Sequence, residues 1–291
     1  MSDLISVVIS SYKGSDTVER AIRSVLAQTY HSIELIVVDD NGLGGEEQIA
    51  TEQVVRRYPH VKYIAHQVNK NGSAARNTGI KAASGKYVAL LDDDDEFLPA
   101  KIEKQYKVMR ESGAPVCYTG QKIVFSSGTE REDIPHIQGF IFPQVIQRKV
   151  EAPTSVLMFE RDVALSIGGF DETFNRHQDW EFLDRLAYKY QIACVPEVCV
   201  VRYIIDRNVA KTSKQYIERR IYYLEKQKKL IDTLSKKDRD EVYYYHYAEI
   251  MRNAVKTKEY RDAVYWFLKT GKPFRLMSES IKKYLNYRKR L

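Results

Sequence analysis

Residues 87–95, YVALLDDDD, decide how this chain folds and where its chemistry lies. The first five residues are apolar and mostly of types that favour β-structure, which predicts a buried strand, and four aspartates follow at its carboxyl end. Four adjacent carboxylates repel one another, so such a cluster needs a cation. Mg²⁺ and Mn²⁺ prefer oxygen ligands, and Mg²⁺ usually takes one or two carboxylates together with water and substrate phosphates. The run therefore predicts a site for a metal ion and a diphosphate.

A simpler explanation is that these acids cap the helix predicted to begin at residues 99–101, because negative side chains complement the dipole of a helix N-terminus. Capping accounts for one or two carboxylates. It does not account for four.

Strands and helices alternate through the first hundred residues. Apolar runs predict strands at 4–9, 33–38, 61–65 and 87–91, with helical patterns between them. This alternation is typical of βαβ units and a mostly parallel sheet, in which ligands bind beyond the carboxyl ends of the strands. Asp39 and Asp40 end one such strand and Asp92 begins the acidic run after another, so we expect them to face one cleft.

Four segments share an order and spacing that is more specific than any one of them. They are SVVISSY (6–12), IVVDDN (36–41), NGSAARN (71–77) and LDDDDEFLP (91–99). Together they resemble the successive signatures of family 2 inverting glycosyltransferases, over roughly residues 3–205. The resemblance implies an α/β catalytic domain of the GT-A type, which is Rossmann-like with a mostly parallel central sheet and flanking helices. It also implies a nucleotide-sugar donor, with UDP preferred, and Mn²⁺ or Mg²⁺ as cofactor.

The resemblance also implies which residues bind the donor nucleotide. Asp40, or its neighbour Asp39, is expected to accept a hydrogen bond from the base, since an ionised carboxylate only accepts. Arg76 is expected beside the nucleotide, where its guanidinium suits phosphate oxygens. Ser11 and Tyr12 belong to the first signature and are assigned to the same site. An exposed helical position is the alternative for Arg76.

For the metal, the resemblance singles out Asp94 as the direct ligand and Asp92 as a second candidate. Asp92 or Asp93 is expected to face the ribose. The run offers several registers, so this division stays open by one residue. Asp206 stands where many relatives carry a histidine near the metal, which makes it a further candidate ligand, although an aspartate at a strand end is also ordinary.

Two later segments, GGFDE (168–172) and QDWEFL (178–183), resemble the G-G-F-D segment and the E-D-W-E-F helix of the same family. By that match Asp179 is the general base that takes a proton from the acceptor hydroxyl. Gln178 replaces the usual glutamate and, with Trp180, is a candidate for acceptor contacts. The alternatives are a helix cap for Asp179 and a core position for Trp180.

Charge divides the chain of 291 residues near residue 206. Residues 1–206 hold 23 Lys+Arg against 29 Asp+Glu, whereas residues 207–291 hold 23 against 10. We therefore predict a catalytic domain at 1–206, with a nucleotide-sugar half (1–100) and an acceptor and base half (101–206). We predict that the basic region 207–291 forms an α-helical appendage, with helices over 213–234, 239–256 and 260–269.

The three cysteines have no metal-ligand spacing and no stretch reaches the length of a membrane span. These features predict a cytosolic protein. Residues 277–288 place apolar side chains at helical spacing among basic ones, which fits peripheral association with anionic membrane and fits equally a helix that is solvated or docked on the catalytic domain or a second subunit. Nucleic acid is not an expected partner, because the catalytic part is acidic and carries no binding motif.

Three functions are consistent with these patterns. The first is glycosyl transfer to a glycan or lipid-linked acceptor, and the second is a sugar-nucleotide pyrophosphorylase. Enzymes of the second kind usually need a Gly-rich basic loop after the first strand, and SSYKGS (10–15) is a poor one. The third is a noncatalytic binding protein that keeps the fold. A Rossmann dehydrogenase is disfavoured because no G-x-G-x-x-G follows the first strand.

Overall fold

The computed structural model describes residues 3–204 and 212–272. Nine strands of the described residues form one sheet. The strands are β1 (Ile5–Ser11), β2 (Ile33–Asp39), β3 (Lys62–Ala65), β4 (Tyr87–Asp92), β5 (Glu96–Phe97), β6 (Val116–Phe125), β7 (Glu130–Asp133), β8 (Leu157–Glu160) and β9 (Ile192–Ile204).

Helices flank this sheet and also make up the C-terminal part of the described chain. They are α1 (Val18–Leu26), α2 (Glu46–Val55), α3 (Gly72–Ala82), α4 (Lys101–Ser112), α5 (Phe142–Ile146), α6 (Arg161–Ser166), α7 (Gln178–Lys189), α8 (Ser213–Lys226), α9 (Lys228–Asp232), α10 (Lys236–Lys256) and α11 (Tyr260–Lys269). A short 3₁₀ turn, Thr154–Val156, precedes β8.

The sheet has the strand order β3-β2-β1-β4-β8-β6-β9-β5, with β7 added beside β6. Strands β3, β2, β1 and β4 are parallel, while β8 runs antiparallel to both β4 and β6. β1 is buried almost throughout, as are the last five residues of β2 and the first five of β4, which is typical of parallel strands covered on both faces. The predicted α/β fold is confirmed, and its four parallel strands fall where the sequence predicts them.

Contacts divide the chain into two compact units. The first runs to Val145 and resumes at Val150, and the second contains Ile146–Lys149 together with the C-terminal helices. The predicted half 101–206 includes those four residues, which in the structure belong to the second unit. Gln147 Nε2 donates to Asp238 Oδ1 at 2.8 Å. The short segment is thus fixed within the helical unit by a hydrogen bond that spans 91 positions of sequence.

The described part of the second unit is mostly helical, as the sequence predicts, although the expected helix over 213–234 is two helices that meet at Gln227. Its core includes Tyr244 and Ala248, against which Met251 and Phe267 pack. No helix within the described ranges is long and apolar enough to cross a membrane. The predicted basic helix at 277–288 lies outside the described residues.

A lysine is buried at the start of α4. Lys101 is fully buried, and its Nζ lies 3.8 Å from the centroid of the Phe97 ring, with no hydrogen-bond partner among the described residues. Burial lowers the pKa of Lys101 to about 7, against the opposing influence of Cys199 and Cys117. At neutral pH the Lys101 side chain is therefore uncharged in a fraction of the folded molecules.

We expect the free energy of unfolding to rise between pH 7 and 8.5 because of Lys101. Its folded pKa lies below the unfolded one, so the unfolded chain binds more protons in this window and stability increases with pH. One pKa unit corresponds to about 1.4 kcal/mol, so the gain is about 1–2 kcal/mol. Urea unfolding should show that Lys101→Met removes this gain and raises stability at pH 7. Lys104→Met, at a partly exposed lysine paired with Glu197, serves as the control. Equal pH slopes for the wild type and Lys101→Met would contradict the prediction.

Candidate active site

The acidic residues at the ends of β2 and β4 lie on either side of the end of β1. Ser11 pairs with Asp39 on one side of β1, and Ser10 pairs with Asp92 on the other. Since β1 is the common neighbour, the carboxyl ends of three parallel strands meet at one level of the sheet. The structure therefore brings the two predicted groups of aspartates to the same edge.

Asp92 is held by an arginine and a threonine. Its Oδ1 accepts from Arg76 Nη2 at 2.6 Å, and Thr154 Oγ1 donates to the same carboxylate at 3.0–3.1 Å. Burial alone would raise the pKa of Asp92, but Arg76, Arg202 and the bond from Thr154 outweigh it and hold that pKa below its usual value. Asp92 is therefore a fixed anion at neutral pH.

Arg76 is buried in helix α3 and not exposed on its surface. The residue is only 7% exposed, and its Nε and Nη1 have no hydrogen-bond partner among the described residues. Unsatisfied buried donors are costly and call for an explanation such as a missing ligand or water. This is the kind of guanidinium that the predicted donor site requires.

Asp93 points back towards the loop after β1. Its Oδ2 accepts from Ser11 Oγ at 2.7 Å and from the Tyr12 backbone N–H at 3.0 Å. A Cβ on Gly14 would lie 1.9 Å from the same oxygen, so a larger residue there would displace the Asp93 carboxylate from its present position. Burial raises the pKa of Asp93 to about 7. Asp93 and Ser11 thus shape the loop that presents Tyr12, whose side chain is 51% exposed and open to a ligand.

Asp95, the last residue of the acidic run, contacts the 3₁₀ turn before β8 and strand β9. Its Oδ2 accepts from Ser155 Oγ at 2.6 Å and lies 3.4 Å from Arg202 Nε, while Oδ1 accepts from the Tyr203 N–H at 3.3 Å. Burial raises the pKa of Asp95 to about 7, although Arg202 favours the carboxylate. Arg20 adds a third guanidinium, which donates to the Asp94 backbone carbonyl at 2.5 Å.

Three arginines lie beside the acidic run. Arg76 pairs with Asp92, Arg202 lies beside Asp95, and Arg20 donates to the Asp94 backbone carbonyl. Protein cations therefore relieve part of the repulsion within the run, which does not by itself demand a metal ion. The sequence singled out only Arg76 of the three. Arg202 and Arg20 carry no local signal, because strand pairing and packing bring them to the site from distant positions.

Asp94 differs from its three neighbours. It is partly exposed, as is Asp92, but its carboxylate, unlike those of the other three, accepts no hydrogen bond from another described residue. Burial, and then Asp92, raise the pKa of Asp94. No group of three or more metal-binding side chains exists in the described part of the chain. A single open carboxylate fits a Mg²⁺ or Mn²⁺ ion that takes its other oxygens from water and a diphosphate.

Asp39 and Asp40 are buried and already hydrogen-bonded. Asp39 accepts from Asn41 at 2.9 Å and from Tyr63 Oη at 2.7 Å, and burial raises the pKa of Asp39. Asp40 accepts from His66, and also from the backbone N–H groups of residues 70 and 71 at 2.8 Å. Both carboxylates therefore hold the loops around the predicted nucleobase site, and direct contact with the nucleobase remains a prediction.

Helix α3 also fixes the predicted acceptor side. Asn77 Oδ1 accepts from the Phe170 N–H at 2.8 Å, and its Nδ2 donates to the Phe170 carbonyl at 2.9 Å. Glu181 in α7 pairs with Arg185, whose Nη2 donates to the Gly169 carbonyl at 2.7 Å. The sequence carries no local signal for this role of Asn77, which depends on a contact across 93 positions.

The predicted base lies in the first turn of α7. Asp179 and its neighbours Gln178 and Trp180 are partly buried, and His177, which precedes the helix, stacks on Trp180 with ring centroids 4.0 Å apart. A Cβ on Gly72 would lie 3.0 Å from Arg76 Nη1 and 3.4 Å from Gln178 Nε2, so the N-terminus of α7 lies close to Arg76 at this glycine. Asp206 lies outside the described residues.

The match to a family model settles the family. The model for glycosyl transferase family 2 matches residues 6–165. The chain belongs to this family. Among its curated relatives, Bacillus subtilis TuaG, described as a putative teichuronic acid biosynthesis glycosyltransferase, is 34% identical over 134 residues, 46% of this chain and 52% of TuaG. The Escherichia coli glucosyltransferase WfgD is 33% identical over 121 residues, 42% of this chain and 47% of WfgD. Matches to the first curated relatives span between 24% and 52% of their lengths.

Solved structures share the fold of this family 2 chain. Staphylococcus aureus TarS 1–349 in complex with UDP-GlcNAc aligns with a TM-score of 0.66 at 16% identity, covering 93% of this chain and 81% of TarS 1–349. The Pyrobaculum calidifontis mannosyltransferase PcManGT, in complex with GDP-Man and Mn²⁺, aligns with a TM-score of 0.62 at 14% identity, covering 98% of this chain and 88% of PcManGT. These alignments confirm the GT-A fold.

We expect Gly169→Ala to destabilise this family 2 chain more than Gly168→Ala. Both glycines have positive φ, +71° and +83°, but an added Cβ would lie 2.4 Å from Asn77 Oδ1 at Gly169 and meets no atom within 4 Å at Gly168. The control should lose about 1–2 kcal/mol from backbone strain alone. Gly169→Ala should lose about 1–3 kcal/mol more, because the turn must leave Asn77. Denaturant unfolding measures both, and equal losses would contradict the role assigned to Asn77.

Proposed function

We propose that this chain is a metal-dependent inverting glycosyltransferase. It moves a sugar from a nucleotide-diphosphate sugar, preferably a UDP-sugar, to a hydroxyl group of a glycan or a lipid-linked saccharide. The observation that carries the proposal is the acidic run after β4, in which the protein holds Asp92, Asp93 and Asp95 and leaves the Asp94 carboxylate open.

The proposed reaction is one displacement. The acceptor hydroxyl gives its proton to the Asp179 carboxylate while its oxygen forms a bond to the anomeric carbon. The bond from that carbon to the diphosphate oxygen breaks, and the nucleoside diphosphate leaves with the electron pair. Because the attack comes from the side opposite the leaving group, the anomeric configuration inverts. Proton transfer to a positioned base contributes about 10²–10⁴-fold to such a rate.

The donor's diphosphate is proposed to lie between Arg76 and Asp94. The unpaired N–H groups of Arg76 suit anionic oxygens, and the fixed charge of Asp92 keeps the guanidinium in place. Asp94, with Asp92 as the second candidate, would hold a Mg²⁺ or Mn²⁺ ion, which would supply Lewis-acid stabilisation of the charge on the leaving diphosphate. Tyr12 is exposed at the end of β1 and is available to stack on the base.

The names of relatives support the substrate classes. WfgD is named for transfer from UDP-Glc to GlcNAc-diphosphoundecaprenol in a β-1,3 linkage, and TarS binds UDP-GlcNAc. A UDP-sugar donor and a lipid-linked or polymeric glycan acceptor are therefore the classes we propose for this chain. Such an acceptor would be met at the cytosolic face of the membrane, the location that the sequence predicts.

Calorimetric titration of the purified protein with UDP, GDP and CDP tests the donor site, each with Mn²⁺ and then with EDTA. We expect metal-dependent binding of UDP in preference to the other two nucleotides. Equal binding in EDTA would reject metal dependence, and no binding by folded protein would reject the donor site. The anomeric configuration of the product, read by NMR from a UDP-sugar that supports transfer, tests inversion.

A further inference from the structure

Helix α11, in the second unit, presents an apolar surface to solvent. Tyr260, Val264 and Leu268 are 64%, 59% and 68% exposed, and Tyr265 is 55% exposed. The first three follow each other at intervals of four residues, so they form one stripe along the helix. The opposite side of α11 is buried through Ala263 and Trp266, whose ring lies 5.1 Å from that of Tyr247. A continuous exposed apolar stripe marks an interaction surface.

Basic side chains surround this stripe. At 100° per residue, Arg261 falls between Leu268 and Tyr265 on the same exposed side, and Lys269 follows beside Tyr265. Lys269 Nζ lies 5.3 Å from the Tyr265 ring centroid and donates to its hydroxyl at 3.1 Å. Two further exposed lysines, at 256 and 258, precede the helix. The nearby acids Glu259 and Asp262 are partly buried, so the exposed side is net positive.

We propose that this face of α11, formed by Tyr260, Val264, Tyr265 and Leu268 with Arg261 and Lys269, docks on an anionic lipid surface. Apolar and tyrosine side chains flanked by lysine and arginine are the composition of helices that lie in the interface of a bilayer. A second copy of the chain is a poor occupant, because a two-fold contact would set this basic face against itself. The sequence after α11 continues with a basic, amphipathic pattern at 277–288, outside the described residues, which extends the same chemistry along the chain.

Sedimentation of the full chain with lipid vesicles tests the proposal. The probes are vesicles of phosphatidylglycerol mixed with phosphatidylcholine and vesicles of phosphatidylcholine alone. We expect binding to the anionic vesicles that weakens with salt. The double variant Val264→Glu/Leu268→Glu should lower the partition coefficient by about tenfold or more, because it places two charges on the buried side of the contact. Arg261→Gln/Lys269→Gln should lower it by about tenfold on anionic vesicles only.

The matched control is Leu26→Glu, at a leucine of α1 that is 56% exposed, which should bind like the wild type. Circular dichroism verifies that each variant is folded. A variant in the tail, Ile281→Glu/Leu285→Glu, separates the two elements. Loss of binding in the tail variant, with full binding in Val264→Glu/Leu268→Glu, would overturn the proposal. So would equal binding to uncharged vesicles, or a wild type that binds no vesicles. None of these readouts depends on glycosyl transfer.

Discussion

Replacing Asp179 with asparagine is expected to remove most transfer activity and to leave donor binding unchanged. Asparagine has nearly the same shape as aspartate but cannot accept the proton of the acceptor hydroxyl. We expect the turnover rate to fall by about 10²–10⁴-fold. The dissociation constant for UDP with Mn²⁺ should stay within about twofold of the wild-type value, because no donor contact is assigned to this side chain. Calorimetry and a transfer assay on the same preparation measure the two quantities.

The control for Asp179→Asn is Asp162→Asn. Asp162 is also an acid in the first turn of a helix, α6, and its side chain is almost fully exposed. If Asp179 only balances the helix dipole, the two variants should lose similar, small amounts of stability and keep their activity. An active Asp179→Asn enzyme would reject the base assignment without affecting the donor site.

Replacing Asp94 with asparagine should have the second large effect. The variant loses the open carboxylate, so the difference in UDP affinity between Mn²⁺ and EDTA should disappear and transfer should fall by more than about 100-fold. The stability of the Asp94→Asn variant, by contrast, should increase. Because burial and Asp92 raise the pKa of Asp94, removal of its charge should increase the unfolding free energy in EDTA at pH 7.5.

This pair of opposite effects separates metal binding from folding. A structural role for Asp94 would lower stability and activity together, and would affect UDP binding equally with and without the metal. Retention of Mn²⁺-dependent binding in Asp94→Asn would move the metal ligand to another residue of the run.

The sequence was sufficient for the half of the sheet that is built from local βαβ units. The strands ending at Asp39 and Asp92 could be placed because apolar runs and turns locate them, and because parallel strands meet at their carboxyl ends. The direction in which each aspartate side chain points could not be predicted from the sequence. Adjacent acids suggest mutual repulsion, but in the structure Asp93 turns towards Ser11 and Asp95 towards Ser155.

The contacts that the sequence did not predict are long-range. Thr154 and Ser155 reach the acidic run because β8 pairs with β4, and Arg202 reaches it through β9, which pairs with β5 and β6. No periodicity or turn motif in those segments indicates which strand they join. Pairing across the second half of a mixed sheet depends on global packing, and the side chains that it delivers are visible only in the folded chain.

Two consecutive residues of α3 bind different parts of the chain, because Arg76 pairs with Asp92 and Asn77 binds the turn at Phe170. This adjacency limits how the chain can be recombined with relatives. A chimaera that joins residues 1–100 to the second half of a relative will keep the Asn77 contacts only if the incoming turn presents a backbone N–H and a carbonyl to Asn77. The segment around Phe170 should therefore be exchanged together with α3, which makes this helix, and not the midpoint of the sequence, the natural junction for recombination with relatives.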